Sequence, residues 1–481
     1  MFLNLIKKVD YKKFIFSIII IAYAFIVSKD NISNGFWYDD FHLIRNFSNS
    51  ELISVWHGTY DTDSFENPGY RPLYVYFNEL RYLLFGENVV AQRIFLVALF
   101  VAIIFLWGYI LKKLGLGNWI YLIVSLLILS ARNSAYHFGW LTDGTHLFQG
   151  VLFMVSMCCV IFSFETIKKW KKNLFLGLAI SAYASSLLVR EESVVTLGAI
   201  FLLWIVILFA SKRKSIKSDI LYLSIFTLIG ILITFVIFLA GQHFVPGRPL
   251  DIHIIGFFEM IKFTIFLGGF LGGDIYYVLA FLPFALVIFI YLLARKNNKK
   301  DYVERNKPLF LLFVLLLIIT LFSCSMGFVM ARSNLTFFPT VFYCTWIGTG
   351  LYIFLDYFRE DKKKKLISSA VTIILLIPII IINTRNSILL QETIAYPDNA
   401  IINSADMVWG QYASMATIPQ VRKEKLVAEL EHFGMTPDNW QAEMNSLLSD
   451  ANLHNIHHPT KQGDVFSPPY GMFFDDYLFG R

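Results

Sequence analysis

The sequence predicts an all-α integral membrane protein with about eleven transmembrane helices, because apolar runs of roughly 17–25 residues, the length that crosses a bilayer, recur along it. Two further observations agree. Hydrophobic residues make up 56% of the 481 residues and charged residues only 16%, and the mean hydropathy is +0.59. These figures exclude a soluble globular enzyme. The net charge of +6 is no sign of nucleic acid, because the lysines fall in short gaps between apolar runs. No nucleic-acid partner is expected.

The apolar runs start near Phe14, Val89, Gly117, Leu147, Asn173, Val194, Ile220, Ile275, Leu309, Thr336 and Leu366. The first follows Lys7, Lys8, Lys12 and Lys13 and lacks a small-residue cleavage site. It reads as a retained helix rather than a removed signal peptide. Lysine clusters then occupy every second gap: Lys112 and Lys113, "KKWKK" from Lys168, "SKRKSIK" from Ser211, "RKNNKK" from Arg295 and "REDKKKK" from Arg359. Cytoplasmic loops carry this pattern, and such clusters also contact anionic membrane lipids. The N-terminus is therefore expected inside and the C-terminus outside. The segment from Ile254 would invert every later loop if it crossed. Its Glu259 and Lys262, spaced i,i+3, share one side of a helix, so an outer interfacial helix is expected near residues 254–272.

This topology divides the chain into a polytopic domain over residues 1–383 and a small extracytoplasmic helical region over 384–481. The first outer loop, residues 28–88, is expected to hold an interfacial helix of its own. The tail stretch from Val421 to Asn455 has apolar residues at helical spacing with a Gly-Met-Thr-Pro-Asp break, which reads as two short helices. Cys158, Cys159, Cys324 and Cys344 lie within apolar runs at no metal-ligand spacing and read as core residues. The neighbours His457 and His458 read as a loop rather than a metal site.

Asp39 and Asp40 stand side by side in "GFWYDDFHLIRN", just beyond the first span. Two readings of the pair stand. In one, Asp39 caps a short helix and Asp40 sits in its first turn. In the other, an ionised aspartate serves as a general base. The outer surface bears on the choice. Lysine dominates the inner gaps, whereas the outer boundaries carry Arg71, Arg132, Arg190, Arg248 and Arg332. A guanidinium fork binds phosphate in bidentate fashion and stays charged when partly dehydrated. Several such arginines on different loops point to a lipid-phosphate site. His57, Trp140, His146 and Glu191 are further outer candidates.

The chain resembles the GT-C superfamily of multi-span glycosyltransferases that use polyprenyl- or dolichyl-phosphate sugars, and within it the protein O-mannosyltransferases and related enzymes with tetratricopeptide repeats. "WYDDFHLIRN" is similar in type and position to that superfamily's acidic motif in the first outer loop. "YRPLYVYFNELRYLLFG" resembles its Arg-Pro-Leu segment, "AYHFGWLTDGTH" its outer stretch before the fourth span, and "LLVREESVV" its basic-Glu pair, on Arg190 and Glu191. The resemblance runs over roughly Phe14 to Asp356. It implies a GT-C fold, an inverting displacement with Asp39 or Asp40 as base, and phosphate held by Arg71 and other outer arginines.

The expected function is transfer of a sugar from a polyprenyl-phosphate donor to an acceptor hydroxyl on a protein, lipid or cell-surface glycan. The second aspartate would orient the first, bind the acceptor or hold a divalent metal; no other cofactor is expected. The expected location is a bacterial plasma membrane, with the site on its extracytoplasmic side. Two rivals are a transporter or flippase of lipid-linked saccharides and a non-catalytic scaffold of a glycan-assembly complex. Transporters place charges at mid-membrane and show repeated halves, and a scaffold needs no acidic pair.

Overall fold

The structure is a computed structural model that describes residues 11–32, 44, 46–60, 70–86, 88–131, 134, 137, 141, 144–190, 193, 197–198, 201, 216–244, 254–265, 273–297, 299–325 and 337–395. Among these residues the regular structure is helical, with no strand. The helices are α1 (Tyr11–Ile32), α2 (Asn49–Ser54), α3 (Pro72–Phe85), α4 (Val89–Lys113), α5 (Asn118–Ser130), α6 (Thr145–Glu165) and α7 (Lys169–Val189). They continue with α8 (Ile216–Phe244), α9 (Ile254–Ile265), α10 (Gly273–Lys296), α11 (Lys300–Ser323), α12 (Phe337–Tyr357) and α13 (Lys362–Ala395).

Among the described residues seven helices are long and apolar enough to cross a membrane: α4, α6, α7, α8, α11, α12 and α13. Apolar stretches in α1 and α5 are shorter. Local chemistry sets the boundaries. Pro72 opens α3, where its missing N–H goes unneeded. Gly86 closes it at φ 54°, a conformation that a side chain would strain. Asn88 then caps α4, its side chain accepting from the Ala91 N–H at 3.0 Å.

Side-chain contacts sort the helix termini into two ends. At one end Lys113 of α4 pairs with Glu165 of α6, and Tyr222 of α8 donates to Asn173 of α7 at 3.1 Å. Phe16 of α1 meets Trp119 of α5 with ring centroids 4.9 Å apart. Asn297, after α10, donates to the Tyr357 hydroxyl of α12 at 3.2 Å, and Tyr302 of α11 donates to the Ile353 carbonyl at 3.1 Å. The lysine-rich stretches at 112–113, 168–172, 295–299 and 362–365 thus flank one end. At the opposite end Ser387 of α13 donates to the Ser130 carbonyl of α5 at 2.8 Å, and Tyr70 stacks on Phe244 of α8 at 5.7 Å. The alternation of lysine gaps along the sequence is therefore also a separation in space.

Helix α12 is the hub, packed on α5, α9, α10, α11 and α13. Helices inside a bilayer gain nothing by hiding apolar surface from lipid, so close packing and interhelical hydrogen bonds must join them. Both occur here. Gly348 lies so close to α5 that a Cβ would stand 2.5 Å from Val124 Cγ2. Trp107 of α4 donates to the Thr345 hydroxyl at 2.9 Å. The four cysteines are buried and free, as their apolar context indicates. Around this core, α1, α8, α10 and α13 turn large apolar side chains outward, among them Ile26, Leu228, Phe281 and Ile374.

Three details refine the sequence reading. The described part of the 254–272 stretch is a 12-residue helix, α9, with Gly256, Met260 and Thr264 inward and Ile254, Ile255 and Phe258 exposed. In the first loop, Ile44 and Asn46–Ser48 are not helical; α2 starts at Asn49 on a capping box between Ser48 and Glu51. Helix α13 continues through Ala395, so the boundary expected at 383 falls inside it. The tail beyond Ala395 lies outside the described residues.

Candidate functional site

Among the described residues the buried charged side chains are Glu79, Arg81, Arg93 and Arg190, and all four lie at the end opposite the lysine clusters. The buried histidines, His137 and His146, lie there too. Burying charge is expensive unless it is paired, hydrogen-bonded or used. Among the described residues the buried charges of this layer are three guanidinium groups and one carboxylate. The opposite end carries more basic residues, but its lysines are largely solvated.

Helix α3 organises the layer. Its sequence "YVYFNELRYLLF" inserts Asn78, Glu79 and Arg81 into an apolar run, and all three are buried. Phe77 stacks on Phe148 of α6, with ring centroids 4.4 Å apart and planes 7° from parallel. Arg81 passes over the Phe77 ring at 5.1 Å. It donates through Nη1 to the Leu141 carbonyl at 2.7 Å and through Nη2 to Asn78 Oδ1 at 3.1 Å. Glu79 Oε2 accepts the backbone N–H of Phe47 at 2.8 Å. The helix therefore ties the first long loop to the segment that precedes α6.

A second knot joins α6 to the end of α7. Gln149, fully buried, donates through Nε2 to the Arg190 carbonyl at 3.0 Å and to the Ser193 hydroxyl at 2.8 Å. The bonds hold the turn where α7 ends and Arg190 begins. His146, one turn earlier on α6, lies 5.2 Å from His137 between ring centroids, and His137 lies 5.1 Å from Phe337 at the start of α12.

Arg71 occupies the N-cap position of α3, half-buried, with its guanidinium 5.2 Å from the centroid of Tyr60. Tyr60 belongs to a small apolar cluster with Phe47, Val55, Tyr74 and Val75. Exposed His57 packs edge-on against Phe244 at 5.5 Å. Beside it Tyr70 donates to the Trp56 carbonyl at 3.3 Å, and burial raises its phenol above the ordinary value.

Of the residues singled out in the sequence, Arg190 is held by Gln149, three residues after His146 on α6, while Arg71 packs on Tyr60 of the loop cluster and His57 on Phe244. Ten rises along α3, about 15 Å of helix, separate Arg71 from Arg81. Asp39, Asp40, Arg132, Trp140, Glu191, Arg248 and Arg332 lie outside the described residues. Sequence reasoning missed Asn78, Glu79, Arg81, Arg93, His137 and Gln149. The available signal was charge within apolar runs, in "FNELRY" and "VVAQRIF". Among the described residues no group of three or more His, Cys, Asp or Glu side chains is placed to hold a metal ion. Comparison of the chain with family models, curated proteins and solved structures finds no match.

Proposed function

We propose that the protein is a membrane glycosyltransferase that moves a sugar from a polyprenyl-phosphate donor to an acceptor hydroxyl on the extracytoplasmic side. The observation that carries this reading is the concentration of buried charge, three arginines and one glutamate among the described residues, at the end away from the lysine clusters. Under the positive-inside rule the lysine end is cytoplasmic, which makes the arginine layer extracytoplasmic. An anionic lipid headgroup would meet guanidinium groups there in a poorly hydrated setting, where charge-assisted hydrogen bonds are strong.

The reaction balances without a redox partner. Asp39 or Asp40 takes the proton of the acceptor hydroxyl. The freed oxygen attacks the anomeric carbon from the face opposite the phosphate, and the bond from that carbon to the phosphate oxygen breaks. Polyprenyl phosphate leaves as an anion stabilised by arginine, and the anomeric configuration inverts. Asp40 precedes Ile44 by four residues, so chain geometry alone keeps its Cα within about 14 Å of Ile44. Ile44 is itself packed in the main core at 2% exposure. The acidic pair thus lies within five residues of a buried anchor in the sequence. A transporter of the same lipid would be served by charge at mid-bundle, where none of the four buried charges among the described residues lies.

The decisive measurement is transfer from radiolabelled polyprenyl-phosphate sugars by Asp39→Asn and Asp40→Asn variants. Asparagine caps helices as well as aspartate does, so folding and expression hold. Loss of a general base lowers the rate by about 10²–10⁴-fold, and the larger loss is expected at Asp40. Full transfer by both single variants and by the double variant refutes the assignment.

A further inference from the structure

We infer that Glu79 is a positioning residue that fixes, through Phe47, the stretch of the first loop following Asp39 and Asp40. The inference rests on the proposed role of that acidic pair. Glu79 is 7% exposed, and its Oε2 accepts the Phe47 N–H at 2.8 Å across 32 positions of sequence. The next amide, that of Ser48, is held by Glu51 at 2.8 Å. The two bonds do different work. Glu51 closes a local capping box and starts α2, whereas Glu79 connects the loop backbone to the bundle.

Packing alone does not account for a carboxylate at this position. Leucine or methionine would fill the same space without the desolvation penalty of a buried charge. The oxygen at Glu79 gives the buried Phe47 amide a charged acceptor beside the apolar loop cluster. The frame behind Glu79 is rigid, because the Phe77–Phe148 stack and the Arg81 bond to Leu141 fasten α3 on both sides of it. Ile44, buried in the main core, is the second point of attachment. The loop therefore re-enters the bundle at two fixed points, four and seven residues after Asp40.

A general base must stand within hydrogen-bond reach of its proton, and a misplacement of 1 Å costs about 100-fold in rate. Releasing Phe47 should therefore lower kcat about 10- to 100-fold. KM for the donor should change less than kcat, because Arg190, at the end of α7, does not depend on this contact, whereas Arg71 caps α3 and packs on Tyr60 of the same cluster.

The test uses the full-length protein in lipid nanodiscs with Glu79→Leu, Glu79→Met as the second loss variant should leucine fail to fold, and Glu79→Gln. Hydrogen–deuterium exchange of a peptide covering residues 44–52 is read beside steady-state transfer from a polyprenyl-phosphate sugar. The loss variants should exchange faster at this peptide and lose kcat, while glutamine, which keeps an acceptor oxygen in place, restores most of both. Unchanged exchange in a folded loss variant overturns the anchor. Faster exchange with unchanged kcat overturns its link to the acidic pair. Absence of transfer by the parent protein refutes the glycosyltransferase reading instead, and with it the catalytic purpose of the anchor, while the exchange result still decides the contact.

Discussion

The Arg81 guanidinium, buried on α3, donates to the backbone carbonyl of Leu141 at 2.7 Å, joining α3 to the turn before α6 across sixty positions of sequence. Replacing Arg81 with methionine leaves the Leu141 carbonyl and Asn78 Oδ1 without this donor, which should destabilise the protein by about 1–3 kcal/mol per orphaned group. Lysine keeps the charge but not the fork and should recover only part of the loss. Thermal unfolding of the purified protein in detergent checks both.

Arg71 tests the phosphate reading from another direction. Its guanidinium lies over Tyr60, a contact lysine can also make. Arg71→Lys should therefore fold like the parent. If the fork grips phosphate, the variant loses about 1.5–3 kcal/mol of interaction, read as a ten- to hundredfold fall in transfer or donor affinity. Parental activity in the lysine variant would reduce Arg71 to a local packing residue.

The seam between α12 and α5 should tolerate no added bulk. Gly348→Leu drives its side chain into Val124 and Ile120, both on a buried face of α5. Overpacking of this kind costs about 1–3 kcal/mol. Gly177, around which a Cβ meets nothing within 4 Å, is the control: Gly177→Ala should leave the unfolding midpoint unchanged or raise it.

A pH effect is expected where α13 begins. Lys362–Lys365 crowd four positive charges onto the positive end of the helix dipole. Asp361 offsets them, with Oδ1 accepting the Lys364 N–H at 3.0 Å. That backbone bond, with the Lys364 ammonium beside it, holds the Asp361 carboxyl below its ordinary range. Because the folded value is depressed, the capping contribution is complete above the ordinary carboxylate value of about 3.9 and is lost as pH falls through the lower folded value. Asp361→Asn should flatten this acid limb, and Asp361→Ala should remove the contribution at every pH. Unfolding midpoints measured from neutral pH downward decide it.

Much of this architecture was legible in the sequence because its signals are local. The span lengths, the lysine alternation and the turn residues Pro72 and Gly86 each speak within a short window. The charged layer was less legible because burial is a relation between distant segments. Glu79 is an ordinary surface glutamate until Phe47 arrives, and Gln149 gains its role from Arg190 and Ser193. The arginines at loop boundaries drew attention, while Arg81 and Arg93, inside apolar runs, did not. Their position there was itself the signal, since an intramembrane charge is expensive to keep without a task.

Helix α12 also constrains how the protein is made. It is among the least apolar of the seven long helices and the most covered, with Thr340, Thr345, Thr349 and Tyr343 all turned into the bundle. Alone in lipid it would present those groups to hydrocarbon. The helices that shield it, α5, α9, α10 and α11 with α4 bonded through Trp107, all precede it in the chain and are therefore synthesised first; of its described neighbours α13 follows. Its entry is then a docking step into a waiting cradle rather than a partition into bilayer. Loss of any one wall of that cradle should leave α12 undocked at the translocon, with α13 only four residues behind it.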